Sequence, residues 1–367
     1  MMHFLRIAGL MITTTIGAGM FALPYVIAQA GWIAGVLYLT LGATALSFVH
    51  VRYLRAVHEG NERYGLVGFV RRALGHVPAR IASFLILGGL TLALVIYLIL
   101  AGEFFELLFP GGYVWGVAVM WFFGSLPLLT RLSRLVMLEL VGCAVIVIAI
   151  FLIFFDGVAG GASRTISAFD ASFAFLPFGA MLFALTGWTA VEPVAEYAAK
   201  SGVSLARASR AMTWGTVLSA LLYGLFALGI FWTSGAVTPN AVAGAATWPL
   251  WKFGTLLTLG IFAMWTSYVP IALEIKNGLH KDIGWRSAVA NCFVFLAPLV
   301  LFALVFKDFL SVLGIAGTVF LGLEYAFILL ATKGKIKESR AAHFFSYTLV
   351  ALFALAAVYE IWLFIVQ

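Results

Sequence analysis

Residues 13–32 read TTTIGAGMFALPYVIAQAGW, and their main chain carries the chemistry of this protein. Gly17 and Gly19 sit two residues apart inside an apolar segment, and Pro24 follows five residues later. Each interior glycine costs a helix about 1 kcal/mol relative to alanine, and a proline about 3. A helix interrupted over Ile16–Met20 leaves amide N–H groups at the start of its second half. That end carries roughly half a positive charge and suits a carboxylate. Thr15, Ala18, Gly19 and Met20 line the interruption, with the amides of Ala18 and Gly19 presented and glycine allowing close approach. The carbonyls left behind, from Thr13 to Ile16, are acceptors for a cation or an ammonium group.

Further candidates lie along the chain. A second segment reads FLPFGAMLFALTGWTAVEPVAEY, where Gly187 precedes Pro193 by six residues. A break there offers the carbonyls of Ala184 to Gly187. Tyr97 lies in the middle of an otherwise apolar run, and its hydroxyl needs a partner at that depth. Thr266 and Ser267 are adjacent hydroxyls deep in another run; with nearby carbonyls they make a hard-oxygen site for a cation, or they bond back to their own helix. A charge near the bilayer centre costs at least about 2.5–3.5 kcal/mol, so Glu192 and Glu324 are candidates to carry a coupling proton. Glu103, Glu106, Glu139 and Glu274 fall near the ends of apolar runs, where a carboxylate can snorkel. The six histidines (3, 50, 58, 76, 280, 343) are expected at or near the cytoplasmic side. No HExxH, GxSxG or GxxxxGK[ST] motif occurs, which argues against metalloprotease, hydrolase or ATPase chemistry. Cys143 and Cys292 form no CxxC pair and read as small buried hydrophobes.

The elements that position these residues follow from composition. The chain is 63% hydrophobic and 10% charged, with a mean hydropathy of +1.08, beyond the range of a soluble domain. Eleven apolar runs are each long enough to cross a hydrocarbon core of about 30 Å: 5–28, 32–53, 81–108, 113–130, 135–155, 173–198, 211–233, 250–275, 287–306, 309–332 and 343–366. The stretch 287–332 can be divided differently around Lys307 and Asp308. No signal-peptide cleavage site is evident in the first run. The GLVGFVRRALG stretch within 54–80 reads as a short amphipathic helix lying at the membrane interface. With the N-terminus in the cytoplasm, 19 of the 22 Lys and Arg face inward and only Arg164, Lys252 and Lys307 face outward. This asymmetry predicts N-in and, with eleven spans, C-out. The net charge of +7 therefore reflects topology rather than nucleic-acid binding.

The two Gly/Pro-interrupted segments are the first and the sixth. Five spans separate their starts, so they run in opposite senses, the pattern of an inverted repeat. The expected fold is an all-α polytopic membrane protein in one domain, 1–367. Repeat one covers about 5–155, repeat two about 173–332, and an extra helix about 343–366. Such paired interruptions mark a midplane solute site.

IGAGMFALP followed by AxxGW resembles the first-helix signature of the aromatic and hydroxy amino acid permeases, and of the broader amino acid/auxin permeases. Both belong to the amino acid–polyamine–organocation superfamily, which has the leucine-transporter fold. FALTGW resembles that superfamily's sixth helix, YLILAGE its third and TSYVPIALEIKNGL its eighth. The resemblance implies main-chain capture of both charged groups of an α-amino acid, with Tyr97 toward the carboxylate and Phe183 and Trp188 as gate or pocket aromatics. It also implies a sodium site from the carbonyls of Thr13, Ile16 and Ala263 with Thr266 and Ser267. Some proton-coupled members place a lysine in helix 5; run 135–155 has none, which leaves Na+ or a carboxylate-borne H+ as the coupling ion.

The expectation is a cation-coupled symporter of a neutral amino acid in the cell membrane, working by alternating access. It needs no other cofactor and no partner beyond lipid, and a monomer suffices. Small residues at the breaks leave room for a large, for example aromatic, side chain. A non-transporting amino acid sensor or an exchanger of the same fold shares the pocket and differs in net uptake. An intramembrane enzyme would need an acid/base or metal cluster at one depth, and none is evident.

Overall fold

The computed structural model describes residues 2–60, 65–129, 135–160, 165–304, 308–336 and 339–366, side chains excepted at 59, 60, 129 and 135–140. Arg63, Arg131, Arg134, Arg164, Lys307 and Lys337, which enter the charge asymmetry, lie outside the described residues, as does the Glu139 side chain. Among the described residues the structure is wholly helical, a multi-pass membrane bundle with no strand. Among the described residues nine helices are long and apolar enough to cross a membrane, and Tyr113–Leu128 is a shorter apolar one.

The chain opens with a helix in two pieces, α1 (Met2–Thr15) and α2 (Leu23–Ala30), joined by an extended Gly17 and a 3-10 turn over Ala18–Phe21. Pro24 does not make the break. It lies in the first turn of α2, where a missing N–H costs nothing. At the end of α2, Gly31 has φ +95°, and a Cβ there would meet the backbone of Ala168 and Phe169. That close approach lets Trp32 N and Ile33 N donate to the Ser167 and Ala168 carbonyls.

Helices α3 (Trp32–Gly60), α4 (Leu66–Leu74), α5 (His76–Leu108), α6 (Tyr113–Ser125) and α7 (Leu135–Ala159) complete the first half. The second half opens with another helix in two pieces, α8 (Leu176–Leu185) and α9 (Val191–Lys200), interrupted at Thr186–Gly187. Pro193 again lies in the first turn of the resumed helix. Then follow α10 (Leu205–Thr233), α11 (Leu250–Asn277) with a π-turn to Ile283, and α12 (Ser287–Leu304). Next come α13 (Phe309–Ile315) and α14 (Gly322–Ala331), joined by a π-turn, and α15 (Arg340–Val366). Several helices outrun their apolar stretches: α3 continues to Gly60, α5 begins at His76 and α10 at Leu205.

Large apolar side chains lie both inside and outside the bundle. The largest fully buried side chains include Trp188, Tyr53, Tyr223, Tyr268 and Tyr325, whereas Leu250 is 84% exposed and Ile365 76%. Lipid is as apolar as leucine, so apolar side chains face outward as readily as inward, while Leu46, Leu94 and Leu98 are fully buried.

One expectation changes here. Helix α4 does not rest its apolar face on the bilayer: Leu66, Phe69 and Val70 are buried against α5, α14 and the π-turn after α11. Its N-terminus is capped from that π-turn, where the Asp282 carboxylate accepts from Gly65 N (3.2 Å) and Gly68 N (3.0 Å). Arg71 in turn donates to the Asp282 carbonyl at 2.9 Å. Arg52, near the end of run 32–53, is 3% exposed and donates to Thr332 Oγ1 (2.5 Å) and Ser346 Oγ (3.0 Å). Asp282→Ala leaves two buried amides unpaired and is expected to cost about 1–2 kcal/mol. Hydrogen exchange should accelerate at 65–69 in the purified variant; unchanged exchange there would refute the cap.

Candidate functional site

The two interrupted helices meet at their breaks. A Cβ on Gly19 would lie 2.8 Å from Ala184 Cα and 2.8 Å from Phe183 Cδ1. A Cβ on Gly187 would collide with Met11 Cε and lie 2.8 Å from Thr15 Oγ1. The absent side chains are therefore filled by the partner helix. The expectation that these glycines leave room for a large substrate side chain does not hold, because that space is occupied by neighbouring atoms.

The first break exposes main-chain groups as the sequence implied. Ile16 N still bonds to Ile12 O, and Met20 N and Ala22 N close the 3-10 turn onto Gly17 O and Gly19 O. The amides of Gly17, Ala18 and Gly19 have no acceptor among the described residues. At the second break Thr186 N reaches Phe183 O, Ala190 N reaches Gly187 O, and the Leu185 and Thr186 carbonyls have no donor among the described residues. Free amides on one side and free carbonyls on the other are complementary to a zwitterion.

Side chains from four other helices secure this junction. Ser267 of α11 lies with its hydroxyl 3.3 Å from Thr13 O and 3.2 Å from Ile16 O. Tyr97 of α5 hydrogen-bonds Ser267, and its hydroxyl would lie 2.7 Å from a Cβ on Gly17. Thr266 donates to its own helix, at Phe262 O (2.7 Å) and Ala263 O (3.5 Å). Trp188 Nε1 donates to Glu324 Oε2 at 2.9 Å, while Glu324 Oε1 is buried without a partner among the described residues. Glu192 lies in the first turn of α9 and accepts from the Tyr53 hydroxyl at 2.7 Å. The Thr15 hydroxyl, packed on Gly187, is also buried and unpartnered among the described residues. Ala18 and Met20 are 0% exposed, Ala184 and Trp188 1%, and Tyr97 3%, so these residues of the junction are buried.

Three participants do not stand out as site residues in the sequence. The Tyr223 hydroxyl of α10 lies 2.7 Å from Thr15 O and 2.6 Å from Ala184 O, its single proton shared between them, tying one break to the other. Its signal is the one that flags Tyr97, a tyrosine inside an apolar helix. Tyr325 of α14 accepts from Gly187 N at 3.3 Å and meets His50 Nε2 at 3.0 Å. His50 is therefore no surface histidine. It is fully buried, because α3 continues ten residues past it before ending at Gly60. Glu274 also departs from the snorkelling expectation: it is half-buried and faces Glu192 and Asp282. Glu103 bonds Asn240, while Glu106 is exposed and accepts from Gly111 N and Tyr113 N. Among the described residues no group of three His, Cys, Asp or Glu side chains could hold a metal ion.

Two interrupted helices in contact, held by side chains of uninterrupted neighbours within a multi-pass bundle, define a membrane transporter of the leucine-transporter type. The same architecture is found in the crystal structure of MhsT in complex with L-phenylalanine, with a TM-score of 0.69, 14% identity and 97% of each chain covered. It is found again in a manganese transporter of Eremococcus coleocola, with a TM-score of 0.67 and 12% identity over 97% of this chain and 85% of that one. No curated protein sequence matches the chain. Residues 3–366 match the family described as transmembrane amino acid transporter protein, and the chain belongs to that family. It is a family of transporters, not of enzymes.

The packing at Gly19 and the bridge at Tyr223 are each testable. Gly19→Ala overpacks against backbone and is expected to cost about 1–3 kcal/mol. Gly254→Ala, with nothing within 4 Å of the new Cβ, should leave stability unchanged or slightly higher. Equal melting temperatures for the two variants would contradict the close junction. Tyr223→Phe removes the donor from two buried carbonyls and should cost about 1–3 kcal/mol; a wild-type melting curve would show that the bridge is dispensable.

Proposed function

We propose that this protein is a secondary active symporter that carries a neutral amino acid, aromatic ones included, across the cell membrane by alternating access with Na+ or H+. The observation that carries the reading is the junction itself. Unpaired amides of Gly17–Gly19 suit the substrate carboxylate, and unpaired carbonyls of Leu185 and Thr186 suit its ammonium. Thr15, Ala18, Gly19, Met20, Tyr97, Phe183, Ala184, Gly187 and Trp188 form or adjoin this pocket. The family membership favours an amino acid over the manganese cargo of the second relative, and the L-phenylalanine held by MhsT supports an aromatic substrate. Binding alone is required; no covalent bond changes.

In this reading eleven spans form two inverted five-helix repeats plus α15, the α1–α2 pair and Tyr113–Leu128 adding to the nine long helices. The Lys and Arg asymmetry supports a cytoplasmic N-terminus and an external C-terminus. Sodium coupling draws support from Ser267, whose hydroxyl sits at the carbonyls of Thr13 and Ile16. Ala263 O and Thr266 would complete the oxygen set once the Thr266 hydroxyl turns from its own helix. Proton coupling draws support from Glu324, whose second oxygen is buried without a partner among the described residues, and from Glu192 on Tyr53.

Purified protein in liposomes, given labelled neutral and aromatic amino acids under an inward sodium gradient and then an inward proton gradient, tests the proposal. Accumulation with sodium alone supports the Ser267 site. Ser267→Ala should then raise the sodium concentration for half-maximal uptake about tenfold, equivalent to about 1.4 kcal/mol. Accumulation with protons alone moves the coupling to Glu324 or Glu192. Failure to accumulate under either gradient, with substrate binding intact, would overturn symport in favour of an exchanger or a sensor.

A further inference from the structure

Helices α3 and α10 enclose a second feature, away from the junction of the breaks. A cavity of about 370 Å³ opens between the last turns of α3 and the first turns of α10. Arg55 and Arg210 stand on its opposite walls, Val51 and Ala206 supply apolar surface, and Trp214 and Ser209 lie along the α10 side. Both arginines are exposed, and neither has an ion-pair partner among the described residues. Ser209 is 6% exposed, and its hydroxyl is buried with no hydrogen-bond partner among the described residues. A polar group so placed beside a cavity is an unfilled hydrogen-bonding position.

The depth of the site in the membrane follows from helix geometry. Arg55 lies five residues before the end of α3 and Arg210 five residues after the start of α10. At about 1.5 Å per residue, both guanidinium groups reach the headgroup layer. The α9 end comes to the same side as the α1 start, since His3 Nδ1 meets the Tyr197 hydroxyl at 2.7 Å. The cavity therefore opens on the membrane face where the chain begins. Trp214 is 53% exposed at this level, the position of an interfacial aromatic.

We infer that the cavity between α3 and α10 is a binding site for the phosphate headgroup of an anionic membrane phospholipid. Two guanidinium groups converging from separate helices match the oxygens of a phosphodiester, which planar arginine donors bind in pairs. The Ser209 hydroxyl, turning about χ1, adds a donor. Val51 and Trp214 line the path by which the acyl chains leave for the bilayer. A basic pocket between transmembrane helices is the setting in which acidic headgroups are held. A bound lipid would tether α3 to α10, the helices that carry His50 and Tyr223 to the two breaks.

Native mass spectrometry of the purified protein with phosphatidylglycerol or phosphatidylcholine tests this without any transport measurement, so it can fail or succeed apart from the proposed symport. Wild type should retain phosphatidylglycerol preferentially. Arg55→Gln/Arg210→Gln should bind it about 30-fold more weakly, taking about 1 kcal/mol per arginine and 1.4 kcal/mol per tenfold. Arg80→Gln/Arg286→Gln, which removes two exposed arginines elsewhere, should bind like wild type. Melting curves in phosphatidylcholine check that both variants fold; if the first does not, Ser209→Ala and Arg210→Lys take its place and should each weaken retention. Equal retention in all folded variants, or equal loss in the Arg80/Arg286 pair, overturns the site. Displacement of the lipid by inorganic phosphate at comparable concentration would overturn the lipid assignment and identify a site for free anions.

Discussion

A peptide group inside a bilayer must find its hydrogen bond within the protein, and this constraint organises everything at the centre of the bundle. An unbroken helix meets it internally. Here two helices forgo it, at Ile16–Gly17 and at Thr186–Gly187, and the freed groups fall into two sets. One set is satisfied by fixed side chains: Tyr223 on Thr15 O and Ala184 O, Ser267 at Thr13 O and Ile16 O, and Tyr325 on Gly187 N. The other, the amides of Gly17–Gly19 and the carbonyls of Leu185 and Thr186, has no partner among the described residues. Burying such groups without partners costs several kcal/mol, a cost that a bound zwitterion would relieve under the proposed function.

The division of labour has a mechanical meaning. Tyr223, Ser267 and Tyr325, which hold the breaks, come from α10, α11 and α14. Tyr223 is unusual among them because one hydroxyl serves both interrupted helices. Any motion that separates α1 from α8 must break one of its two contacts, so the two breaks are coupled through a single oxygen. Ser267 holds only the first break, through carbonyls at the end of α1. Under proposed sodium coupling, a cation at those carbonyls would turn the serine O–H away, bind its oxygen and draw α11 and α1 together, whereas its departure would restore the neutral contact. Ion occupancy and helix position would then be linked at a distance of one hydrogen bond.

How much of this is legible in the sequence varies with the physics of each residue. The breaks are legible because two glycines so close together in an apolar run weaken a continuous helix at one point. The hydroxyl at Ser267 is legible only through a family resemblance, since adjacent hydroxyls alone also fit bonding within one helix, and Thr266 does bond that way. The prolines mislead as helix breakers: the constraint on their N–H is absent in a first turn, where both Pro24 and Pro193 lie. His50 reads as an outer residue because it lies near the end of its apolar run, 32–53, while a helix ends only where its capping and packing end. Asp282 cannot be connected to α4 from sequence, since its partners are main-chain amides more than two hundred residues away.

The glycines show why composition at a break does not give the size of what binds there. Gly19 and Gly187 are small, yet the volume they spare belongs to Ala184 and Phe183 in one case and to Met11 and Thr15 in the other. Small residues at a helix contact bring backbones together, and in a membrane that closeness is itself the source of cohesion. Room for a substrate side chain must then come from residues that can turn aside. Phe183 and Trp188 are the large side chains next to the second break, and only Trp188 is tied down, by its bond to Glu324. Under the proposed function the acid would have a second consequence beyond proton carriage: it fixes the indole beside the second break, and a change in the charge of Glu324 would alter that hold. Coupling ion and substrate would then meet through Trp188 under proton coupling, and through the α1 carbonyls under sodium coupling, two routes that converge on the same pair of broken helices.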